Sequence, residues 1–171
     1  MGRIVRGYQC SRCGEFHERL PLSYGSPAPD LCFQIPQRER QKRLQLTSNR
    51  CVIDNRHFFI LGRIETPVVD VGETFAWVVW VSLSNDDFMR MSELGEKPGR
   101  ENEPSIMGLL ETSLPCYGTF PRGMGVRVRI RPVGQLPRLE LEAADHPLAI
   151  EQRTGITLAR VQQIAEECLH G

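Results

Sequence analysis

Apolar and polar residues alternate in several short segments of this 171-residue chain, and this alternation predicts β-strands. The clearest strand runs from Phe75 to Leu83. Side chains on both of its faces are mostly apolar, so we expect it to be central and covered on both sides. The segments 51–54 and 57–65 predict a second pair of strands around a turn at Asn55 and Arg56.

The chain between 126 and 142 predicts a β-hairpin in which apolar residues alternate with arginines and glutamates. In a symmetric register Arg129 lies opposite Glu140, and Arg127 lies opposite Glu142. Cross-strand ion pairs of this kind give the charged residues a structural explanation.

Helical spacing of apolar residues appears in the remaining segments, each opened by a capping residue. Ser84 caps a helix that ends at Gly95, and Asp145 caps a short helix with Pro147 near its first position. Thr157 caps the last helix, and a short polar helix runs from Pro36 to about Leu44. We therefore predict an α+β fold with a mainly antiparallel sheet and a few helices. Residues 1–171 form a single domain, in which a knuckle-like N-terminal segment, 1–35, packs on the main body.

Charge is balanced overall but unevenly distributed. Residues 1–50 have a net charge of +5, residues 51–111 of −6 and residues 112–171 of +1. A basic N-terminal third can bind nucleic acid or an acidic partner, but it can equally face the acidic middle third of the same fold, which we favour. Neither a secretory signal nor an apolar stretch long enough to span a membrane is found in the sequence, so we expect a soluble cytoplasmic protein.

The six cysteines include one closely spaced pair, Cys10 and Cys13. Two thiolates separated by two residues can bind one side of a tetrahedral Zn²⁺. Gly14 permits a tight turn after them. The other candidate ligands are His17, Cys32 and Cys51, and our preferred set is Cys10, Cys13, His17 and Cys51. Four protein ligands would make the zinc structural.

A second candidate site lies around His146, which follows an acidic residue at the start of a predicted helix. His146 could act as a general base, and Arg153, seven residues on, shares its helical face. No candidate nucleophile lies near them in the sequence. We therefore favour a structural role for both residues over a catalytic one.

Six blocks of residues resemble a family of bacterial proteins, domain of unknown function 2199. They are Tyr8-x-Cys10-x-x-Cys13-Gly14-x-x-His17, Cys51-x-Ile53-Asp54, His57-Phe58-Phe59 with Gly62, Phe75-x-Trp77-x-Val79-Trp80-Val81-Ser82-Leu83-Ser84, Leu114-Pro115-x-Tyr117 and Asp145-His146-Pro147-Leu148-Ala149-x-Glu151-Gln152-Arg153-x-Gly155-Ile156. The resemblance implies thiols at Cys10, Cys13 and Cys51 and the imidazole at His17, and so supports Cys51 over Cys32. The chain departs from the family pattern at Leu61, Val78 and Leu109, and the family name implies no activity.

These observations favour an intracellular zinc-stabilised binding domain with a protein partner, of the adaptor or immunity type, over an enzyme. A first alternative is nucleic-acid binding through the zinc knuckle and the basic residues Arg3, Arg6, Arg12, Arg38, Arg40, Lys42 and Arg43. A second alternative is an enzyme that uses His146 with Arg153.

Overall fold

The computed structural model of the chain describes residues 6–118, 123–143 and 145–171. Their strands are β1 (Arg6–Gln9), β2 (Phe16–Arg19), β3 (Ser23–Gly25), β4 (Leu44–Leu46), β5 (Arg50–Ile53), β6 (His57–Val68), β7 (Glu73–Leu83), β8 (Ile106–Leu110), β9 (Gly125–Arg129) and β10 (Arg138–Leu141). Their helices are α1 (Asp30–Phe33), α2 (Gln37–Arg43), α3 (Asn85–Leu94), α4 (Pro147–Thr154) and α5 (Leu158–His170), with 3₁₀ turns at Arg100–Asn102 and Pro115–Tyr117. The predicted α+β class with a mainly antiparallel sheet is confirmed.

Five strands pair in a closed ring. β6 and β7 are antiparallel along their whole length, β7 pairs with β8, β8 with β9 and β9 with β10. The ring closes where β10 meets β6 in parallel, at Arg138 and Arg63. β3 adds to β7 in parallel, and β5 and β4 extend from the other side of β6. Ring closure leaves these five strands without a free inner edge, as in a small barrel.

The inside of the ring is filled by alternate residues of its strands. These belong to the main core and include Ile60, Ile64, Val79, Val81, Ile106, Leu110, Val126, Val128 and Leu139. Two glycines provide the room: a Cβ on Gly62 would overlap the Leu139 side chain, and a Cβ on Gly108 would overlap Val81. The ring is therefore a packed core and not a channel.

A second, smaller core covers the outer face of β7. Trp80 is buried there, and its indole N–H donates to the carbonyl of Ser26 at 3.0 Å. Cys32 of α1 and Cys51 of β5 belong to the same cluster. The predicted central strand is thus covered on both sides, with Trp77 on the opposite face in the main core.

Two of the three side chains predicted to cap the N-termini of helices do so. Ser84 Oγ accepts from the N–H of Asp87, and Thr157 Oγ1 accepts from the N–H of Arg160. The prediction that Asp145 caps α4 is wrong. The cap is His146, whose Nδ1 accepts from the N–H of Leu148 at 3.1 Å.

The hairpin of β9 and β10 has a different register from the symmetric one predicted. Arg127 lies opposite Glu140, and Arg129 lies opposite Arg138. The predicted ion pairs nevertheless form, because they join diagonal neighbours: Arg129 to Glu140 at 2.6 Å and Arg127 to Glu142 at 3.6 Å. Long side chains on one face of a sheet reach such diagonal positions.

Among the helices of the described residues, none combines the length and the apolar composition that a membrane crossing requires.

Candidate metal centre

The N-terminal hairpin brings three candidate ligands together. β1 and β2 pair so that Tyr8 lies opposite His17, and their rings stack with centroids 5.0 Å apart. Between the strands the chain turns tightly: the N–H of Gly14 donates to the carbonyl of Cys10 at 3.0 Å, and Gly14 has a φ of +73°. Glycine suits this left-handed conformation because it has no Cβ. The turn places Cys13 next to His17, with Sγ and Nε2 3.6 Å apart.

One face of α5 contacts this hairpin at three successive turns. Gln162 donates from Nε2 to the carbonyl of Gln9 at 3.0 Å. The carboxylate of Glu166 accepts from the N–H of Ser11 at 2.8 Å and from its hydroxyl at 2.5 Å. His170 Nε2 lies 3.3 Å from the Sγ of Cys10. Because residues four apart lie on the same side of a helix, the stripe 162–166–170 faces the hairpin as a unit.

The ligand atoms of Cys10, Cys13, His17 and His170, hereafter the Cys/His cluster, all lie within 4.8 Å of one another. A tetrahedral Zn²⁺ with its usual bonds to sulfur and nitrogen would hold a sulfur and a nitrogen about 3.6 Å apart. The two sulfur–nitrogen distances of 3.3 and 3.6 Å are close to this value. The four side chains can therefore hold one metal ion.

The electrostatics of the turn favour a thiolate at Cys10. This residue is buried, which opposes ionisation, but hydrogen bonds from the backbone N–H groups of Cys13 and Arg12 outweigh that effect. The pKa of Cys10 is consequently lower than its ordinary value. Metal ions bind the thiolate form of cysteine, so this lowering favours coordination at Cys10. The pKa of Cys13 in the same turn is raised, because the lowering effect of the backbone N–H of Glu15 is outweighed by desolvation and by the hydrogen bond with Cys10.

Glu166 is the charged group that fixes the turn to α5. Its carboxylate is buried and accepts hydrogen bonds from Ser11 and from Gln162. The Ser11 hydroxyl contributes most to lowering the pKa of Glu166, which falls to about 2. The carboxylate is therefore ionised over the whole physiological range and holds the turn in place.

Cys51 does not join the Cys/His cluster, so the structure corrects our preferred set at this position. Cys51 is fully buried in the second core, with its Sγ 3.5 Å from the Sγ of Cys32. Burial raises the pKa of both thiols, which are protonated at neutral pH. His170 occupies the place that we predicted for Cys51, and the alternative ligand Cys32 is likewise outside the cluster.

His146 caps α4, Arg153 lies in the last turn of that helix, and neither belongs to the Cys/His cluster. His146 is half-buried, its Nδ1 is used in capping the helix, and its ring lies 6.2 Å from that of Tyr117. Arg153 is exposed in the last turn. The polar network beside them joins Tyr117 to Glu151 at 2.7 Å and Glu151 to Arg160 at 2.8 Å. This network ties α4 to α5 through Glu151.

The basic residues of the nucleic-acid hypothesis lie on different elements. Arg12 belongs to the turn of the hairpin, whereas Arg38, Arg40, Lys42 and Arg43 belong to α2. Arg43 binds Asp54 at 2.7 Å and Glu39 at 3.0 Å, so its charge is already paired. Arg3 lies outside the described residues.

His170, Glu166 and Gln162 are parts of the site that were not predicted from the sequence. The only signal for them is their spacing of four residues, which places three polar side chains on one face of an otherwise amphipathic helix. A histidine in the last turn of a helix also has an ordinary explanation as a cation near the helix C-terminus. The partner of that face is the hairpin at the other end of the chain.

Residues 9–156 match the model of the family DUF2199, described as uncharacterised protein conserved in bacteria. Three residues of the Cys/His cluster lie within the matched region, and His170 lies beyond it. No curated protein and no solved structure matches the chain.

Proposed function

Because the chain belongs to the DUF2199 family, whose description names no activity, we propose its function from the site: a zinc-stabilised domain that binds a protein partner. The Cys/His cluster holds one structural Zn²⁺ in this proposal. The observation that carries it is the convergence of four ligand atoms from residues up to 160 positions apart.

The choice of zinc follows from the ligands. Two thiolates and two imidazoles form a set of intermediate softness, which suits Zn²⁺ better than the oxygen-seeking ions Mg²⁺ and Ca²⁺. The sulfur–nitrogen distances agree with a tetrahedral ion. Zinc here supplies cross-linking only, because four protein ligands leave no open position for water or substrate.

The structural role follows from where the ligands lie. Three come from the hairpin of β1 and β2, and the fourth is the last residue of α5. The hairpin forms a separate two-stranded sheet, so among the described residues no strand pairing joins it to the barrel. A metal ion that joins it to α5 would replace those missing backbone hydrogen bonds.

Elemental analysis of the purified protein tests the zinc proposal. We expect about one zinc per chain in the native protein, and Co²⁺ substitution should give the thiolate-to-metal charge-transfer absorption of a site with two thiolates. His170→Ala should lose most of the bound metal. Cys51→Ala should keep it, because Cys51 lies in the other core. If His170→Ala keeps its full metal content and Cys51→Ala loses its metal, the fourth ligand is Cys51 and not His170.

The protein partner is supported by apolar side chains on the outer wall of the barrel. Met107 and Leu109 lie two residues apart on β8, so both side chains are on the outer face of the strand, where they are 46% and 47% exposed. Large apolar side chains that share one face are typical of surfaces that bind other proteins. Affinity capture from native lysate should recover a stoichiometric protein, and Leu109→Glu should abolish its recovery while Glu93→Gln, on α3, leaves it unchanged. Recovery of no protein by the native chain would contradict this part of the proposal.

A further inference from the structure

A cavity of about 350 Å³ lies between the barrel and the last turn of α5. Its wall includes Tyr24, Trp77, Leu114, Cys116, Glu167 and Cys168, and we name it the α5 pocket. Its volume is within the range of small-molecule sites in proteins. The metal centre does not use it, since none of the four cluster residues lines it.

Most of the α5 pocket is apolar and aromatic. The rings of Tyr24 and Trp77 lie 6.0 Å apart, and Leu114 is buried beside them. Burial raises the pKa of Cys116 to about 12, so its thiol is uncharged at neutral pH and adds apolar surface. A ligand that fills this space therefore has an apolar body, and a flat ring would pack well against the two aromatic side chains.

The charged and polar groups that line the α5 pocket favour a ligand with a positive charge. Among the described residues that line it, Glu167 alone carries a charged side chain, and its carboxylate helps to raise the pKa of Cys116. Arg160 is close enough for the Glu167 carboxylate to contribute to the raised pKa of its guanidinium, but Arg160 forms its ion pair with Glu151, and the described part of the chain shows no ion pair between Glu167 and an arginine or lysine. The pocket also borders the C-terminal end of α5, where the helix dipole is negative.

The unpartnered hydroxyl of Tyr24 also favours a ligand that carries a hydrogen-bond donor. The hydroxyl oxygen of Tyr24 is buried and has no hydrogen-bond partner in the structure. A buried polar group without a partner costs free energy, and a bound ligand with an N–H group would supply the missing partner. Burial raises the pKa of Tyr24 to about 12, so the hydroxyl stays neutral and can accept that hydrogen bond.

We propose that the α5 pocket binds a small organic cation, an amine with a compact aromatic or alkyl body. The apolar walls bury the body, the Tyr24 hydroxyl accepts from the ammonium group, and Glu167 balances its charge. Aromatic rings next to the charge add a cation–π contribution. This site is separate from the proposed protein partner and goes beyond the structural zinc.

Titration of the zinc-loaded protein with 2-phenylethylammonium tests the proposal. Binding is followed by NMR at the indole N–H of Trp77, a signal identified by its absence in Trp77→Phe. We expect a saturable shift with this cation, weaker binding of the neutral 2-phenylethanol, and no binding of the anion 3-phenylpropanoate. Equal or tighter binding of the neutral or anionic compound, or no saturation with the cation, would overturn the proposal.

Glu167→Gln is the decisive variant, since it removes the charge and keeps the size of the side chain. It should weaken binding of 2-phenylethylammonium by about two- to fivefold, as expected for a partly exposed ion pair, and leave 2-phenylethanol unchanged. Glu93→Gln, an exposed glutamate of α3, is the matched control. An unchanged affinity in Glu167→Gln would contradict the role of charge. Zinc content measured on the same samples separates failure of the pocket from failure of the metal site.

Discussion

Glu65, on the barrel wall, is held by two arginines. Arg131 binds both of its carboxylate oxygens, at 2.8 and 2.6 Å, and Arg63 lies 3.3 Å away. The side chains of Glu65 and Arg131 are only 20% and 24% exposed. The hydrogen bonds from Arg131 lower the pKa of Glu65 from its ordinary value, which means that the folded state favours the ionised carboxylate.

We expect Glu65→Gln to lower the free energy of unfolding by about 1–2 kcal/mol at pH 7, because charge-assisted hydrogen bonds contribute about this much. The pKa is lower in the folded state, so this stabilisation is complete above the unfolded value of about 4.5 and is lost as the pH falls through the folded value. The difference between native and variant should therefore shrink below about pH 4.5. Urea denaturation at pH 7 and pH 3 measures it, with Glu93→Gln as the control, and an equal difference at both values would contradict the charge argument.

At the scale of elements, a stripe of side chains attaches α5 to the hairpin independently of the proposed metal. Glu166 and Gln162 make hydrogen bonds to Ser11 and Gln9 that need no ion. The opposite side of the helix buries Val161, Ile164 and Ala165 in the main core. The helix thus connects the barrel core on one face with the hairpin on the other.

Glu166→Ala should loosen the hairpin even in metal-free protein, because the N–H and hydroxyl of Ser11 lose their buried acceptor. Limited proteolysis within residues 7–19 should become several-fold faster. Gln163→Ala is the matched control, since that side chain is exposed on the same helix. If the two variants are cleaved equally fast in the presence of a chelator, the carboxylate does not anchor the hairpin.

The strands of the ring depend on two glycines, of which Gly108 is the more tightly enclosed. A Cβ on Gly108 would overlap the Val81 side chain and the backbone carbonyl of Ser82. A shift of that backbone carbonyl would disturb the strand and therefore costs free energy. Gly108→Ala should therefore cost about 1–3 kcal/mol of stability by overpacking. Gly125→Ala, where the nearest group is the half-exposed side chain of Glu142, should cost less. The denaturant midpoints of the two variants measure these losses of stability. Equal losses would show that β8 can accommodate a methyl group at Gly108 without overpacking.

Considered as a whole molecule, the protein consists of a barrel around its own core and a separate two-stranded hairpin that packs against it. The barrel core is continuous and buried, whereas the hairpin contributes mainly Tyr8, Cys10 and Leu20 to it. Stability is consequently expected to differ between the two parts, since regions with few buried contacts open locally at low cost.

Removal of metal by a chelator should therefore act locally. We expect faster hydrogen exchange in residues 7–19 and in the last turn of α5, a lower thermal midpoint and an unchanged exchange pattern in β6 to β9. Hydrogen exchange with mass spectrometry, with and without chelator, measures this. A uniform increase across the barrel would mean that the metal supports the whole fold, and no change anywhere would mean that the native protein holds none.

Much of the fold was predictable because its signals are local. A short apolar run rich in valine and aromatic residues identifies β7, and the caps at Ser84 and Thr157 need only a hydroxyl directly before a helix. The same holds for three members of the Cys/His cluster. Cys10, Cys13 and His17 lie within eight residues, so one local turn is sufficient to bring them together, independently of the tertiary fold.

The tertiary structure alone decided the rest. Closure of the barrel and the register of β9 on β10 depend on how strands pack side by side, and the charged residues satisfy more than one register. The fourth member of the Cys/His cluster depends on the tertiary fold, which places His170 beside Cys10, 160 residues away, and buries Cys51 against Cys32. Residue types in the sequence determine which side chains can bind a metal, but only the packed fold determines which of them meet, because distance along the chain says nothing about distance in space.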